Sequence, residues 1–209
     1  MAPLPGMLDL CEHHDAWLLI DDAHGFGVMG PQGRGSPAHF GLHSPRIVYV
    51  GTLGKAAGVA GAFVAGAVEV VESVLQRART YIYTTAAPAM LAAAVETSLE
   101  LIREDEWRRE RLRNLIVVLR EGLRESERAL APSDTPIQPL VLGGNGEAVR
   151  ASAALRERGI LVPAIRPPTV PEGSARLRIS LSAAHSEEEV IHLASALREV
   201  CRSGIAAHA

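Results

Sequence analysis

Apolar positions switch between helical and strand periods along the chain, the alternation of an α/β protein. Residues 4–14 carry apolar side chains at helical spacing. Trp17-Leu-Leu-Ile20 is a short apolar run ending in Asp21-Asp22, the pattern of a buried strand with polar residues at its carboxyl end. Residues 25–37, rich in Gly and Pro, predict a flexible loop. Ile47-Val-Tyr-Val50 predicts a second buried strand, with Gly51-Thr-Leu-Gly54-Lys55 as the turn after it, and Ala62-Phe-Val-Ala65 a third. Val68 to Ala78 predicts a helix, and Tyr81-Ile-Tyr-Thr-Thr85 an extended segment. A long helical region then runs from about Pro88 to Leu130.

After Pro132 the elements shorten. Ile137–Leu142, Leu161–Arg166 and Arg176–Ser182 predict strands, and Glu147–Arg158 a helix. Ser186-Glu-Glu-Glu189 is a capping box, in which a serine hydroxyl and a glutamate three residues on each satisfy the other's backbone N–H. It opens a last helix ending near Arg202. The pattern predicts a parallel-sheet region up to about residue 100, then a smaller strand–helix–strand unit.

The composition narrows the function classes. The chain has 209 residues, 22% charged, with a net charge of −3, which gives no electrostatic reason to bind nucleic acid or an anionic membrane. The longest uncharged apolar stretch, Ala56 to Val68, has 13 residues, against the roughly 18 of a candidate membrane span. Two cysteines, Cys11 and Cys201, make no disulfide framework, and a reducing, cytoplasmic setting is the simplest reading.

The 21 basic residues are 20 arginines and one lysine, Lys55. Codon bias explains the arginines but not the retained lysine. Arginine cannot replace lysine where an amine must lose its proton and attack a carbonyl, so Lys55 is a candidate covalent residue. Its neighbours Gly51, Gly54, Ala56, Ala57 and Gly58 leave room for a planar group and predict a desolvated amine. Asp21 and His24 also follow a buried strand, 34 residues before Lys55 in the case of Asp21. In open parallel sheets, ligands bind beyond such strand ends. A carboxylate there can pair with a protonated ring nitrogen, and an imidazole with a phenolic oxygen. Together with an amine, this is the set that pyridoxal phosphate needs: a Schiff-base lysine and an acidic partner for the pyridinium.

Other motifs carry less. Gly25-Phe-Gly27-Val-Met-Gly30 fits the dinucleotide fingerprint, but Pro31, Gly33, Gly35 and Pro37 forbid the helix that the fingerprint requires. His39 and His43 stand beside Pro45 without further ligands, which argues against zinc. Arg166, on the stiff segment Arg-Pro-Pro-Thr-Val-Pro, suits capture of a carboxylate and equally suits a surface turn. Thr52, Thr84 and Thr85 could bind a phosphate; for Thr84 and Thr85 simple helix capping is the bland alternative.

Asp21-Asp-Ala-His24-Gly, Gly51-Thr-Leu-Gly-Lys55, Tyr81-Ile-Tyr-Thr-Thr85 and Arg166-Pro-Pro-Thr-Val-Pro resemble the α-oxoamine synthases. These are pyridoxal-phosphate (PLP) dependent transferases of the aspartate-aminotransferase fold (fold type I). The resemblance implies an α/β fold with part of the PLP-binding large domain at 1–100. A long linking helix and a small C-terminal α/β domain follow at 101–209. It implies that Lys55 carries the cofactor, Asp21 pairs with its ring nitrogen and His24 contacts its hydroxyl. Thr52 would lie at the cofactor, and Thr85 would reach the phosphate from the partner subunit of a homodimer. Arg166 would hold the amino-acid carboxylate and Thr169 would line the acyl path. The implied reaction is decarboxylative condensation of L-alanine with a pimeloyl thioester of coenzyme A or acyl carrier protein. It gives 8-amino-7-oxononanoate for biotin biosynthesis, and a glycine-using relative such as 2-amino-3-ketobutyrate ligase is the alternative. Family members carry a further stretch of similar length upstream. This implies a carboxy-terminal half that turns over poorly alone, or a non-catalytic fragment that retains the motifs by descent.

Overall fold

The computed structural model describes residues 1–206 except 127 and 129, with side chains through residue 202. The chain forms two compact units, Met1–Glu106 and Trp107–Ala209.

In the first unit, helix α1 (Leu4–His13) is set by apolar residues at helical spacing. Its Leu4 and Leu8 pack with Leu18 and Ile20 of strand β1 (Leu18–Asp21). β1 pairs parallel to β2 (Ile47–Thr52), with Asp21 opposite Val50. β2 pairs with β3 (Ala62–Ala65), with Thr52 opposite Ala62. This second pairing is antiparallel, so the sheet is mixed where the sequence predicts parallel strands. The link between β2 and β3 is a hairpin loop too short for the helical crossover that a parallel pair demands.

Between β1 and β2 the glycine-rich segment folds into turns, a 3₁₀ turn at Pro31–Gly33 and a short helix α2 (Ser36–His39). It is a loop, as its composition predicts, and it is tied by internal hydrogen bonds: Met29 N donates to the Gly25 carbonyl, Gly27 N to Gly33 and Gly35 N to Met29, each at 2.8 Å. After β3 come α3 (Val68–Arg77) and α4 (Arg79–Ile82). Tyr81 and Ile82 are therefore helical, not extended. Their backbone N–H groups both reach the Ala78 carbonyl at 2.9 Å, a local partner available where no strand lies alongside.

The long helical region divides at Asp105 (φ −85, ψ 62) into α5 (Ala89–Glu104) and α6 (Glu106–Gly122). Aspartate favours helix N-termini over interiors, which explains the break. The helix also ends at Gly122, short of the expected Leu130.

In the second unit, β4 (Ile137–Gly143), β5 (Ala164–Ile165) and β6 (Ala175–Ser180) form an antiparallel sheet in the order β4-β6-β5. β5 is shorter than the predicted Leu161–Arg166 because Pro163 and Pro167 bracket it and neither has an N–H for a ladder. Helices α7 (Asn145–Glu157) and α8 (Glu187–Ala206), with α6, bury their apolar faces in one cluster with Leu140, Leu177 and Ile179. The capping box is formed: Ser186 N donates to Glu189 Oε2 at 2.7 Å and Glu189 N to Ser186 Oγ at 3.1 Å. Among the described residues, no helix is long and apolar enough to cross a membrane.

Candidate functional site

The carboxyl ends of β1 and β2 build the site. Strand alternation turns Leu18 and Ile20 into the core beside α1 and leaves Leu19 and Asp21 on the opposite face. Asp21 pairs with Val50, so Thr52, two residues on, lies on that same face one strand away. The exposed Asp21 carboxylate accepts one hydrogen bond, from Ala23 N at 3.1 Å, and has lone pairs left for a ligand. His24, also exposed, stands at the start of the turns that follow.

Lys55 occupies the hairpin loop between β2 and β3. Leu53 N reaches the Gly61 carbonyl and Val59 N the Leu53 carbonyl, both at 2.9 Å, closing the loop. Thr52 Oγ1 donates to the Gly61 carbonyl and accepts from Gly54 N, each at 3.3 Å, so this hydroxyl shapes the turn as well as bordering the site. Behind the lysine, Ser98 Oγ of α5 donates to the Ala57 carbonyl at 2.7 Å. The His24 and Lys55 loops pack together. A Cβ at Gly27 (φ +78) would stand 2.6 Å from the Cβ of Ala56, so no larger residue fits there.

Lys55 is exposed, and this corrects the expected desolvation. Small neighbours remove bulk around the amine without covering it: a Cβ at Gly58 would meet nothing within 4 Å. The open space and the donor set of amine, unsaturated carboxylate, imidazole and hydroxyl fit a planar aldehyde cofactor with a basic ring nitrogen. Among the described residues, no group of three or more His, Cys, Asp or Glu could hold a metal.

The remaining predicted residues lie elsewhere. Thr85 is exposed on the irregular stretch before α5, and no side chain caps that helix. Arg166 and Thr169 belong to the second unit, just after β5. Both are exposed, on a turn where Thr169 N donates to the Arg166 carbonyl at 3.0 Å and the Pro167–Pro168 bond is cis.

Sequence reasoning gave Asp22 no role. It is buried, and its carboxylate accepts from Ser36 N at 2.7 Å, from Tyr49 Oη at 2.8 Å and from Ser36 Oγ. The Tyr49 hydroxyl is held protonated far above its ordinary range, by burial first and by its bond to Asp22 second. The strand alternation that sends Asp21 outward sends Asp22 inward, and that signal was present in the sequence.

The family model for aminotransferase class I and II matches residues 2–197. An 8-amino-7-oxononanoate synthase of Nitrosospira multiformis is 61% identical over 202 residues, which are 97% of this chain and 51% of that protein. Among solved structures, a lysine-to-alanine variant of a serine palmitoyltransferase from S. paucimobilis with a bound PLP–myriocin aldimine superposes with TM-score 0.90 at 30% identity, covering 98% of this chain and 52% of that one. An 8-amino-7-oxononanoate synthase from Francisella tularensis superposes with TM-score 0.82 at 30% identity, covering 97% and 59%. The chain thus spans about half the length of the curated relatives it matches.

Proposed function

The chain belongs to the aminotransferase class I and II family, and from that membership we propose that it is part of a PLP enzyme condensing L-alanine with a pimeloyl thioester. The products would be 8-amino-7-oxononanoate, carbon dioxide and the free thiol carrier. The observation that supports this most is the packing of Gly27 on Ala56, which puts the His24 loop beside the Lys55 turn in a chain 61% identical to a protein of that activity.

Lys55 would hold the cofactor through Nζ, Asp21 would keep its ring nitrogen protonated, and His24 would bond its ring hydroxyl. When bound, the cofactor supplies an electron sink for the substrate α-carbon. Lys55, as a free amine, would move the proton at that carbon. Arg166 would pair with the substrate carboxylate through two parallel N–H bonds, Thr169 would border the acyl chain, and Thr85 would serve the phosphate of a partner subunit in a cytoplasmic homodimer. The polypeptide equivalent to the half of the relatives not covered here would complete the site. A non-catalytic piece is the competing reading, favoured by the exposure of Lys55 in this chain.

Incubation with pyridoxal phosphate, borohydride reduction and peptide mapping test the reading. The label is expected on Lys55 and lost in Lys55→Arg, and co-expression with the uncovered half of the Nitrosospira relative is expected to raise it. Label confined to the amino terminus under both conditions would refute the proposal.

A further inference from the structure

We propose that Asp22 is a positioning residue that fixes Asp21 and His24 relative to each other, acting through Ser36 and Tyr49. The inference rests on the reading of Asp21 and His24 as cofactor ligands and adds what holds them in place.

Asp22 is 5% exposed, between two exposed candidate ligands. Its backbone is anchored on both sides: its N–H donates to the Val50 carbonyl at 2.8 Å, and its carbonyl accepts from Gly25 N and Phe26 N at 2.9 Å each. Its carboxylate is enclosed by the two ends of the glycine-rich segment. A Cβ at Gly25 would lie 2.1 Å from Oδ1, and one at Gly35 would lie 2.1 Å from Oδ2. Glycine is therefore compulsory at both positions, and the segment that mimics a dinucleotide fingerprint is a cage around a carboxylate.

The cage joins three elements. Ser36 opens α2 and gives the carboxylate two donors. Tyr49 lies on β2, paired with Ile20, and gives a third. The Tyr49 ring sits 5.9 Å from Phe63, whose ring fills the place where a Gly51 side chain would stand, next to Thr52. Only Ala23 separates the clamped Asp22 from His24. Moving the backbone that carries the two ligands would strain these charge-assisted hydrogen bonds, which are about twice as strong as neutral ones. Such bonds hold a ligand set better than an apolar contact of equal area does, because they fix direction as well as distance.

Asp22→Asn, Ser36→Ala and Tyr49→Phe in the whole chain test this by two readouts that need no activity. The first is amide hydrogen exchange. Asp22→Asn is expected to speed exchange over residues 23–35 by roughly tenfold, with residues 107–202 unchanged, and Ser36→Ala and Tyr49→Phe by less. The second is the NMR chemical shift of the His24 ring protons, expected to move in Tyr49→Phe although His24 is untouched. Should Asp22→Asn fail to fold, the two milder variants decide. Exchange over 23–35 that stays within twofold of wild type in every folded variant overturns the proposal. So does faster exchange with an unmoved His24 ring signal, which would make Asp22 structural only. Both readouts hold even where the unmodified chain takes up no pyridoxal phosphate, an outcome that would count against the cofactor reading alone.

Discussion

The two units bury their sheets to different degrees. In the second, Leu119, Leu140, Leu155, Leu177 and Leu197 are fully enclosed by a sheet and three helices. In the first, the core cluster is Leu4, Leu8, Leu18 and Ile20, while Leu19 on the same strand is 65% exposed and α5 has no buried residue. Among the described residues, β1 and β3 each have one edge without a strand partner. A groove of about 410 Å³ stays open between α3 and the sheet, lined by Val50, Ala62, Val64, Val71 and Leu75. The unit that carries Lys55, Asp21 and His24 is thus the one with the thinner core. The second unit, whose central leucines are enclosed, contributes only Arg166 and Thr169 to the candidate set.

The largest test of this contrast is core truncation. Leu177→Ala, at a side chain with no exposed surface, is expected to cost about 2–5 kcal/mol. Leu8→Ala, in the thin core of the first unit, is expected near the lower end of that range because its surroundings can collapse. The two tryptophans separate the signals, since Trp17 lies in one unit and Trp107 in the other. Urea unfolding of Trp17→Phe and Trp107→Phe backgrounds reads each unit. Equal losses in both would erase the contrast.

Alkaline pH reaches the first unit selectively. The Tyr49 hydroxyl is raised above its ordinary value of 10.0 by burial and by Asp22. The folded state keeps this proton more tightly than the unfolded chain does. Stability is therefore retained below the unfolded value and falls as pH climbs past it toward the folded one. Urea midpoints reported by Trp17 are expected to drop between pH 9 and pH 11, and Tyr49→Phe is expected to flatten that slope.

Where the sequence was legible, local rules and tertiary context agreed. Val68–Arg77 and Ala62–Ala65 lie where helical and strand periods place them, and the capping box at Ser186 and Glu189 forms as its spacing requires. Where reading failed, the deciding partner was distant in sequence. Tyr81 and Ile82 have strand propensity but no strand to pair with, so a local helical turn takes them. The antiparallel β3 depends on the closure of the loop at Leu53 and Gly61, which composition does not announce. The site divides in the same way. The placing of Lys55 and Asp21 just past strand ends follows from residue type and pattern, whereas the contacts of Asp22 with Ser36 and Tyr49, 14 and 27 residues away, do not.

A smaller effect is expected at the capping box of the closed unit. Ser186→Ala removes the acceptor for Glu189 N and is expected to cost about 1 kcal/mol, read by Trp107. Glu188, whose carboxyl is held below its usual range by a backbone hydrogen bond and by Ser186, adds stability that is full above the usual carboxylate value and is lost as pH falls from there through the lowered one. The loss in Ser186→Ala is therefore expected to shrink in acid, and a constant loss would assign it to Glu189 alone.

The smallest expected change in stability is also the sharpest test of the open face. Leu19→Lys places a charge on an exposed apolar position of an edge strand, where native proteins often carry lysine to block pairing with other chains. A side chain 65% exposed loses little by becoming polar, so unfolding monitored by Trp17 is expected to change by no more than about 0.5 kcal/mol. Association should respond far more. The unpaired N–H and C=O groups of β1 and its bare leucine favour contact between copies, and sedimentation is expected to show the unmodified chain associating with concentration while Leu19→Lys stays largely monomeric. A loss of more than about 1 kcal/mol in a dilute, monomeric Leu19→Lys sample would mean that something in the same chain covers this leucine in solution. In that case the first unit would be closed after all, and its contrast with the second would disappear.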